Sequence, residues 1–322
     1  MNKPLVSVCL ACYNHEKYLE ECLKSFMCQS YDNIEVLISD DCSKDRSVDV
    51  VQSKLEDMKR RFARVIFLKN TENIGAVRTF NQMIEMCEGK YIKLFSGDDM
   101  LFPSAIEDLV NYLENHPQCG LVYSNHVTCD DHDIYNVEEL KKNLEHKPPV
   151  IKGNMTQALY ENNFIIAPTV MVRKSVYEQI GLHDDTLDIE DWEFWIRASL
   201  SYQIGYLDKA TLVYRTAHNS MSRFGADDAG RIRLKRIIQN EFRVLDKYKD
   251  HPQISSRTGI RNCCDQGISL AIDLEADEVV ADICEYLNKQ GIRFGFKMSV
   301  KYALYRIGIW KTLVKTGIVK KD

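Results

Sequence analysis

The chain has 322 residues, of which 45% are apolar and 28% charged, the balance of a globular protein with a sizeable core. No charge-free apolar run approaches the ~20 residues of a membrane span, and the opening MNKPLVSVCLACYN has neither a basic head nor a small-residue cleavage site, so a cytosolic location is expected. The net charge of −5 is uneven: residues 223–322 hold 19 Lys and Arg against 13 Asp and Glu, a balance of +6, which leaves −11 on residues 1–222 and argues against nucleic acid as a partner.

Residues 1–100 alternate β-rich runs with amphipathic stretches. VSVCLAC (6–12) reads as a strand and Leu19, Cys22, Leu23 and Phe26 as the buried stripe of a helix. IEVLISD (34–40), a helix through Val48, Val51, Leu55 and Met58, ARVIFLK (63–69), a helix through Val77, Phe80, Ile84 and Cys87, and YIKLFS (91–96) repeat the unit. This alternation predicts an α/β fold: a Rossmann-like, mainly parallel sheet with helices on both faces. LVYSNHV (121–127) and PTVMVR (168–173) read as further strands, residues 130–163 as a loop-rich insertion with a short helix, and IEDWEFWIRASL (189–200) as a helix whose Trp192 and Trp195 belong to its packed face. From about residue 223 the pattern is helical, which divides the chain into an α/β domain, 1–222, and a basic helical region, 223–322. Eleven scattered cysteines imply reduced thiols, and Cys9 and Cys12 of the CxxC lie three apart on a strand, facing opposite sides.

In parallel sheets, ligands bind beyond the carboxyl ends of the strands. Tyr13 and Asn14 follow the first strand, SDDCSKD (39–45) the second, NTENIGAVR (70–78) the third and SGDD (96–99) the fourth, so polar side chains should converge on one edge. Like charges in contact destabilise each other unless neutralised, so the adjacent carboxylates Asp98 and Asp99 call for a cation or a set of donors. They could cap the next helix, but Asp40, Asp41 and Asp45 at another strand end would need the same explanation a second time. A hard divalent ion on few carboxylates keeps positions open for phosphate oxygens, which suits Mn2+ or Mg2+ with a nucleotide diphosphate. Neither G-x-G-x-x-G nor G-x-x-x-x-G-K-[ST] occurs, which weakens dehydrogenase and P-loop readings.

YNHEKYLEECLKS, QSYDNIEVLISDDCSKD, NIGAVRTFN, SGDD and IEDWEFWIR, in this order across about residues 5–222, resemble glycosyltransferase family 2 with the GT-A fold. The resemblance implies an enzyme that transfers a sugar, with inversion, from a nucleotide-sugar, usually a UDP-sugar, to a saccharide or lipid-linked saccharide in surface glycan assembly. It implies nucleotide contacts at Ala11, Tyr13, Asn14, Asp40, Asp41, Ser43, Asn73, Gly75, Arg78, Ser96 and Gly97, with Asp40 as partner of the base. It implies metal binding at Asp98, with Asp99 in support and His218 either completing the site, touching the diphosphate or simply hydrogen-bonded. Asp191 is implied as general base with Glu190 as its neighbour, although both could equally serve the helix dipole. Four residues depart from the pattern: Cys42 stands where the family has glycine, Ala11 and Cys12 where proline is frequent before Tyr13, and Ser96 where the first acid of D-x-D falls. These departures motivate a rival, a silent nucleotide-sugar-binding assembly subunit, while a nucleotidyltransferase would need a basic glycine-rich loop that CLACYNHEKY lacks. The oligomeric state, a homo-oligomer included, is left open.

In residues 293–322, Val300, Ala303, Leu304, Ile307, Trp310, Val314 and Ile318 fall on one face if the segment is a single helix, with Lys297, Lys301, Lys311 and Lys315 alongside. That pattern suits peripheral contact with an anionic membrane, or a final helix packed on the protein with snorkelling lysines.

Overall fold

The computed structural model describes residues 3–129, 154–216, 225 and 227–315. The chain forms two compact units, one of Met1–Val150, Phe164–Asp185 and Phe194–His218, the other of Ile151–Asn163, Thr186–Glu193 and Asn219–Asp322.

In the first unit, β1 (Val6–Cys12), α1 (Leu19–Met27), β2 (Ile34–Asp40), α2 (Ser47–Arg61), β3 (Arg64–Lys69), α3 (Ala76–Met86) and β4 (Tyr91–Ser96) follow the predicted alternation. β5 (Met100–Leu101), α4 (Ala105–Asn115), β6 (Cys119–Cys129), β7 (Met171–Arg173), α6 (Lys174–Ile180) and β8 (Gln203–Arg215) complete it; α5 (Met155–Glu161) belongs to the second unit. The eight strands form one sheet in the order β3-β2-β1-β4-β7-β6-β8-β5. β1 pairs in parallel with β2 and β4, β2 with β3, and β6 with β8, whereas β7 runs antiparallel to both β4 and β6. Every residue of β1 and β2 is buried, as expected of central parallel strands covered on both faces. Val8, Leu10, Val36 and Ile38 meet Leu19, Leu23 and Phe26 of α1 and Val51 and Met58 of α2 in the main core. The register aligns Ala11 with Ser39 and Ser96, so β1, β2 and β4 end at one level and the loops that follow them share an edge.

Two sequence expectations change here. PTVMVR is a strand only at Met171–Arg173; Ala167–Thr169 form a 3-10 turn with Pro168 near its start, because proline lacks the N–H a central strand must donate. β8 was not foreseen: its first half mixes buried, half-buried and exposed residues without regular alternation and carries Gly205, Asp208 and Lys209, and its pairing with β6 supplies what local pattern does not.

The second unit is helical. After α5 and the start of α7 (Glu190–Ser199) come α8 (Asp228–Tyr248), α9 (Ser256–Asp273), α10 (Asp277–Gln290), α11 (Phe296–Arg306) and α12 (Trp310–Lys315). The single tail helix suggested by periodicity is therefore two helices: Gly308, at φ +75°, takes the left-handed conformation that ends the first.

Lys93 is fully buried in β4, its Nζ donating to the carbonyls of Pro168 and Val170. Burial pushes the amine down to about 7, against the opposing pull of Asp99. The unfolded chain holds this proton up to its ordinary pKa, so between about pH 7 and 10.5 the unfolded state binds more protons and stability rises with pH. Lys93→Met should accordingly raise the melting temperature most near pH 6–7, with a gain that shrinks towards pH 10 in thermal scans.

Candidate active site

At the end of β2, the Asp40 carboxylate accepts the backbone N–H of Ser43 at 3.0 Å and its hydroxyl at 2.5 Å. Asp41 takes three donors from the loop after β3: Asn70 Nδ2 at 2.9 Å, Ile74 N at 2.9 Å and Gly75 N at 2.8 Å. Gly75, at φ +87°, begins α3 from there. Between these acids and Ser43, Cys42 adopts φ +65°. The turn expected of a glycine forms all the same, at the steric cost a Cβ carries in the left-handed region.

The loop after β1 is stitched to the loop after β2 in both directions. Asn14 N, itself at φ +56°, donates to Ser43 Oγ at 2.9 Å, His15 N to Ser47 Oγ at 2.8 Å and Glu16 N to Asp45 Oδ2 at 2.9 Å. In return Lys44 N donates to Asn14 Oδ1 and Arg46 N to Glu16 Oε2, both at 2.8 Å. Burial acts upward on Asp45, but hydrogen bonds from Ser47 and the Glu16 N–H outweigh it and hold the carboxyl below its usual value.

The third loop carries the paired acids, and they divide their work. Asp99 is buried, and Oδ1 accepts Arg215 N at 2.8 Å, fastening the turn to β8. Burial, then the adjacent Asp98 charge, pushes its carboxyl well above the usual range, with Arg215 and Lys93 opposing. The positive partners demanded by Asp98–Asp99 are thus built into the fold. Arg215 is fully buried: Nε donates to the Asp98 carbonyl at 2.8 Å, Nη2 pairs with Glu21 at 2.9 Å, and the guanidinium lies 4.5 Å from the Tyr18 ring centre. Asp98 Oδ1, Arg215 Nη1 and His15 Nδ1 are buried without a hydrogen-bond partner, the exception among buried polar groups that calls for an explanation. Gly97 is not a left-handed turn residue; a Cβ there would lie 2.6 Å from His15 Nδ1, so the glycine makes room for that ring.

The other expected positions fall as follows. Ala11 is buried at the end of β1, its carbonyl accepting Gly97 N at 3.2 Å, Ser96 is half-buried at the end of β4, and Tyr13 is 43% exposed. Asn73 is exposed on the loop before Gly75, and exposed Arg78 pairs with Asp185 at 2.9 Å. His218 lies outside the described residues, among which no group of three or more His, Cys, Asp and Glu is disposed to hold a metal. Arg215 was missed as a site residue: YRTAHNS signalled a segment, but its tie to a turn 117 positions earlier is a tertiary fact.

In the second unit, the first turn of α7 and the residues just before it are anchored by polar side chains. Asp188 binds Asn240 at 3.0 Å and Arg236 at 2.5 Å, buried Glu193 takes Lys247 at 2.7 Å and the Tyr248 hydroxyl at 2.5 Å, and Trp192 Nε1 donates to the Leu159 carbonyl at 2.6 Å. Asp191 Oδ1 accepts the Trp192 N–H at 2.6 Å. Burial raises the Asp191 carboxyl even against hydrogen bonds from Trp192 and Asn163, and burial followed by the Asp191 charge lifts Glu190 to about 8.

The family model for glycosyl transferase family 2 matches residues 7–181, and the chain belongs to that family. It is a glycosyltransferase. It is 27% identical over 219 residues to an uncharacterized glycosyltransferase of Methanocaldococcus jannaschii, covering 67% of this chain and 72% of the relative. A second, from Rickettsia typhi, is 24% identical and aligns along 97% of this chain and 95% of its own. Among solved structures, S. aureus TarS 1–349 in complex with UDP-GlcNAc superposes with a TM-score of 0.53 at 16% identity, over 90% of this chain and 93% of that one; of the longer TarS chain this protein spans 53%. The mannosyltransferase PcManGT of Pyrobaculum calidifontis, in complex with GDP-Man and Mn2+, gives 0.58 at 14% identity over 99% and 87%. These likenesses establish the GT-A fold.

The hydrogen bonds separate scaffold from free carboxylates. Asp41→Ala should cost about 3 kcal/mol by stranding three donors, whereas Asp98→Ala, which breaks no side-chain hydrogen bond, should stay within about 0.5 kcal/mol of wild type in urea unfolding. Cys42→Gly should stabilise by roughly 0.5–1 kcal/mol by removing the left-handed Cβ.

Proposed function

We propose that the protein is a metal-dependent inverting glycosyltransferase that moves a sugar from a nucleotide-sugar, of the UDP class, to a saccharide or lipid-linked saccharide in surface glycan assembly at the cytoplasmic face of a membrane. The observation that carries this reading is the pair of buried, unpartnered atoms Asp98 Oδ1 and Arg215 Nη1 at the carboxyl end of β4, beside acids already committed to N–H donors. One free carboxylate suits Mg2+ or Mn2+, which takes its remaining ligands from phosphate and water. Asp98 would hold the ion, which would supply Lewis-acid stabilisation of the departing diphosphate.

The chain's own residues supply the rest. Asp40, Ser43, Asn14 and Tyr13 line the base and ribose end of the donor, and the partnerless Arg215 Nη1 offers a donor to phosphate oxygen. Asp191 takes the proton of the acceptor hydroxyl as that oxygen bonds to the anomeric carbon. The bond from carbon to diphosphate oxygen breaks on the opposite face through an oxocarbenium-like transition state, and configuration inverts. A raised carboxyl pKa favours this role, because a desolvated carboxylate is a stronger base than one in water.

The reading is tested by following nucleoside diphosphate release from UDP-sugars with Mn2+. Asp191→Asn should slow transfer by roughly 100-fold or more, and Asp98→Ala should abolish its metal dependence. Equal rates for wild type and Asp191→Asn would favour the silent binder instead. Transfer should rise with pH as Asp191 ionises and change again near pH 8 as Glu190 follows; Glu190→Gln should erase that second feature from the kcat/KM profile.

A further inference from the structure

The end of the second unit inverts the ordinary amphipathic rule. Phe296, Val300, Ala303 and Ile307 stand at helical spacing along α11 and its C-terminal cap and so share one face. Phe296 is 85% exposed, Val300 46% and Ile307 65%; Ala303 is exposed with them, and Ile309, 44% exposed, extends the apolar surface beyond Gly308. The lysine is the residue turned inward. Lys301 is 6% exposed, and its Nζ donates to Ser269 Oγ at 2.6 Å and pairs with Asp273 at 2.8 Å, 4.8 Å from the ring centre of buried Trp310. A helix that merely packs on the protein with snorkelling lysines does the reverse.

The border of this face is cationic. Lys289, Arg293, Lys297 and Arg306 are exposed, and from residue 289 to the end of the sequence nine Lys and Arg face a single acid, Asp322. The acids of the neighbouring helices are largely occupied: Asp273 by Lys301 and Trp310 Nε1, Asp277 by the Tyr305 hydroxyl, and Asp265 by the Gly295 N–H.

We propose that the Phe296–Val300–Ile307–Ile309 face seats on an anionic lipid surface, the apolar side chains entering the boundary between headgroups and acyl chains while Arg293, Lys297 and Arg306 meet headgroup phosphates. Charge selects this occupant. Two copies of so basic a segment, placed face to face about a two-fold axis, would oppose like charges. No helix among the described residues is long and apolar enough to cross a membrane, so the contact is with a surface. Its use, delivery of the enzyme to a lipid-linked acceptor, rests on the proposed function; the contact itself does not.

The full chain is floated with phosphatidylcholine vesicles made with and without phosphatidylglycerol. Wild type should float with the anionic vesicles and not with the neutral ones, and release from them as salt rises. Phe296→Ser combined with Ile307→Ser should cut the bound fraction at least roughly tenfold, Lys297→Glu combined with Arg306→Glu should abolish the preference for anionic lipid, and all these variants should keep wild-type nucleoside diphosphate release in solution. Wild type left unbound by anionic vesicles, or apolar variants that float as well as wild type, would overturn the proposal. So would light scattering that shows a dimer dissolved by the same serine substitutions. Flotation without diphosphate release would count against the catalytic reading and leave the contact standing.

Discussion

Buried carboxylates must be paid for in donors, and this constraint shapes the edge of the sheet where β1, β2 and β4 end. Asp40, Asp41 and Asp45 each accept backbone N–H groups from the loops that surround them, and Asp99 accepts one from β8. Acids that would repel one another if left bare become the fasteners of three loops. Asp98 stands apart: Arg215 gives its N–H to Asp99 and its Nε to the Asp98 carbonyl, while Asp98 Oδ1 is buried without a hydrogen-bond partner.

Much of this arrangement was legible in the sequence because it is local. The strand and helix alternation of residues 6–96 follows from hydrophobic period, and the ends of those strands mark where polar clusters gather. What stayed hidden was long-range. A lysine in YIKLFS gives no hint that it will be buried against the carbonyls of Pro168 and Val170, and the tie of Arg215 to the Asp98–Asp99 turn exists only once β8 is placed. The glycine that the resemblance led one to want at position 42 is replaced by cysteine, and the bonds around Asp40, Asp41 and Ser43 hold the turn with that side chain in place.

The tail teaches a different lesson. Periodicity identified an apolar stripe with lysines beside it but not which of the two would face the protein. Lys301 turns inward because Asp273 and Ser269 wait for it on α9, and Trp310 joins them once Gly308 has ended the helix. Partner geometry, not hydrophobicity, decided the orientation.

The reciprocal bonds between the loops after β1 and β2 have one more consequence. Segments that are already fixed by one another have lost their conformational freedom during folding, so little entropy is left for a bound ligand to remove. On the proposed reading, recognition of the nucleotide-sugar at that rim depends on shape and donor placement prepared in advance, and a ligand that fits poorly meets a surface with little capacity to adapt to it.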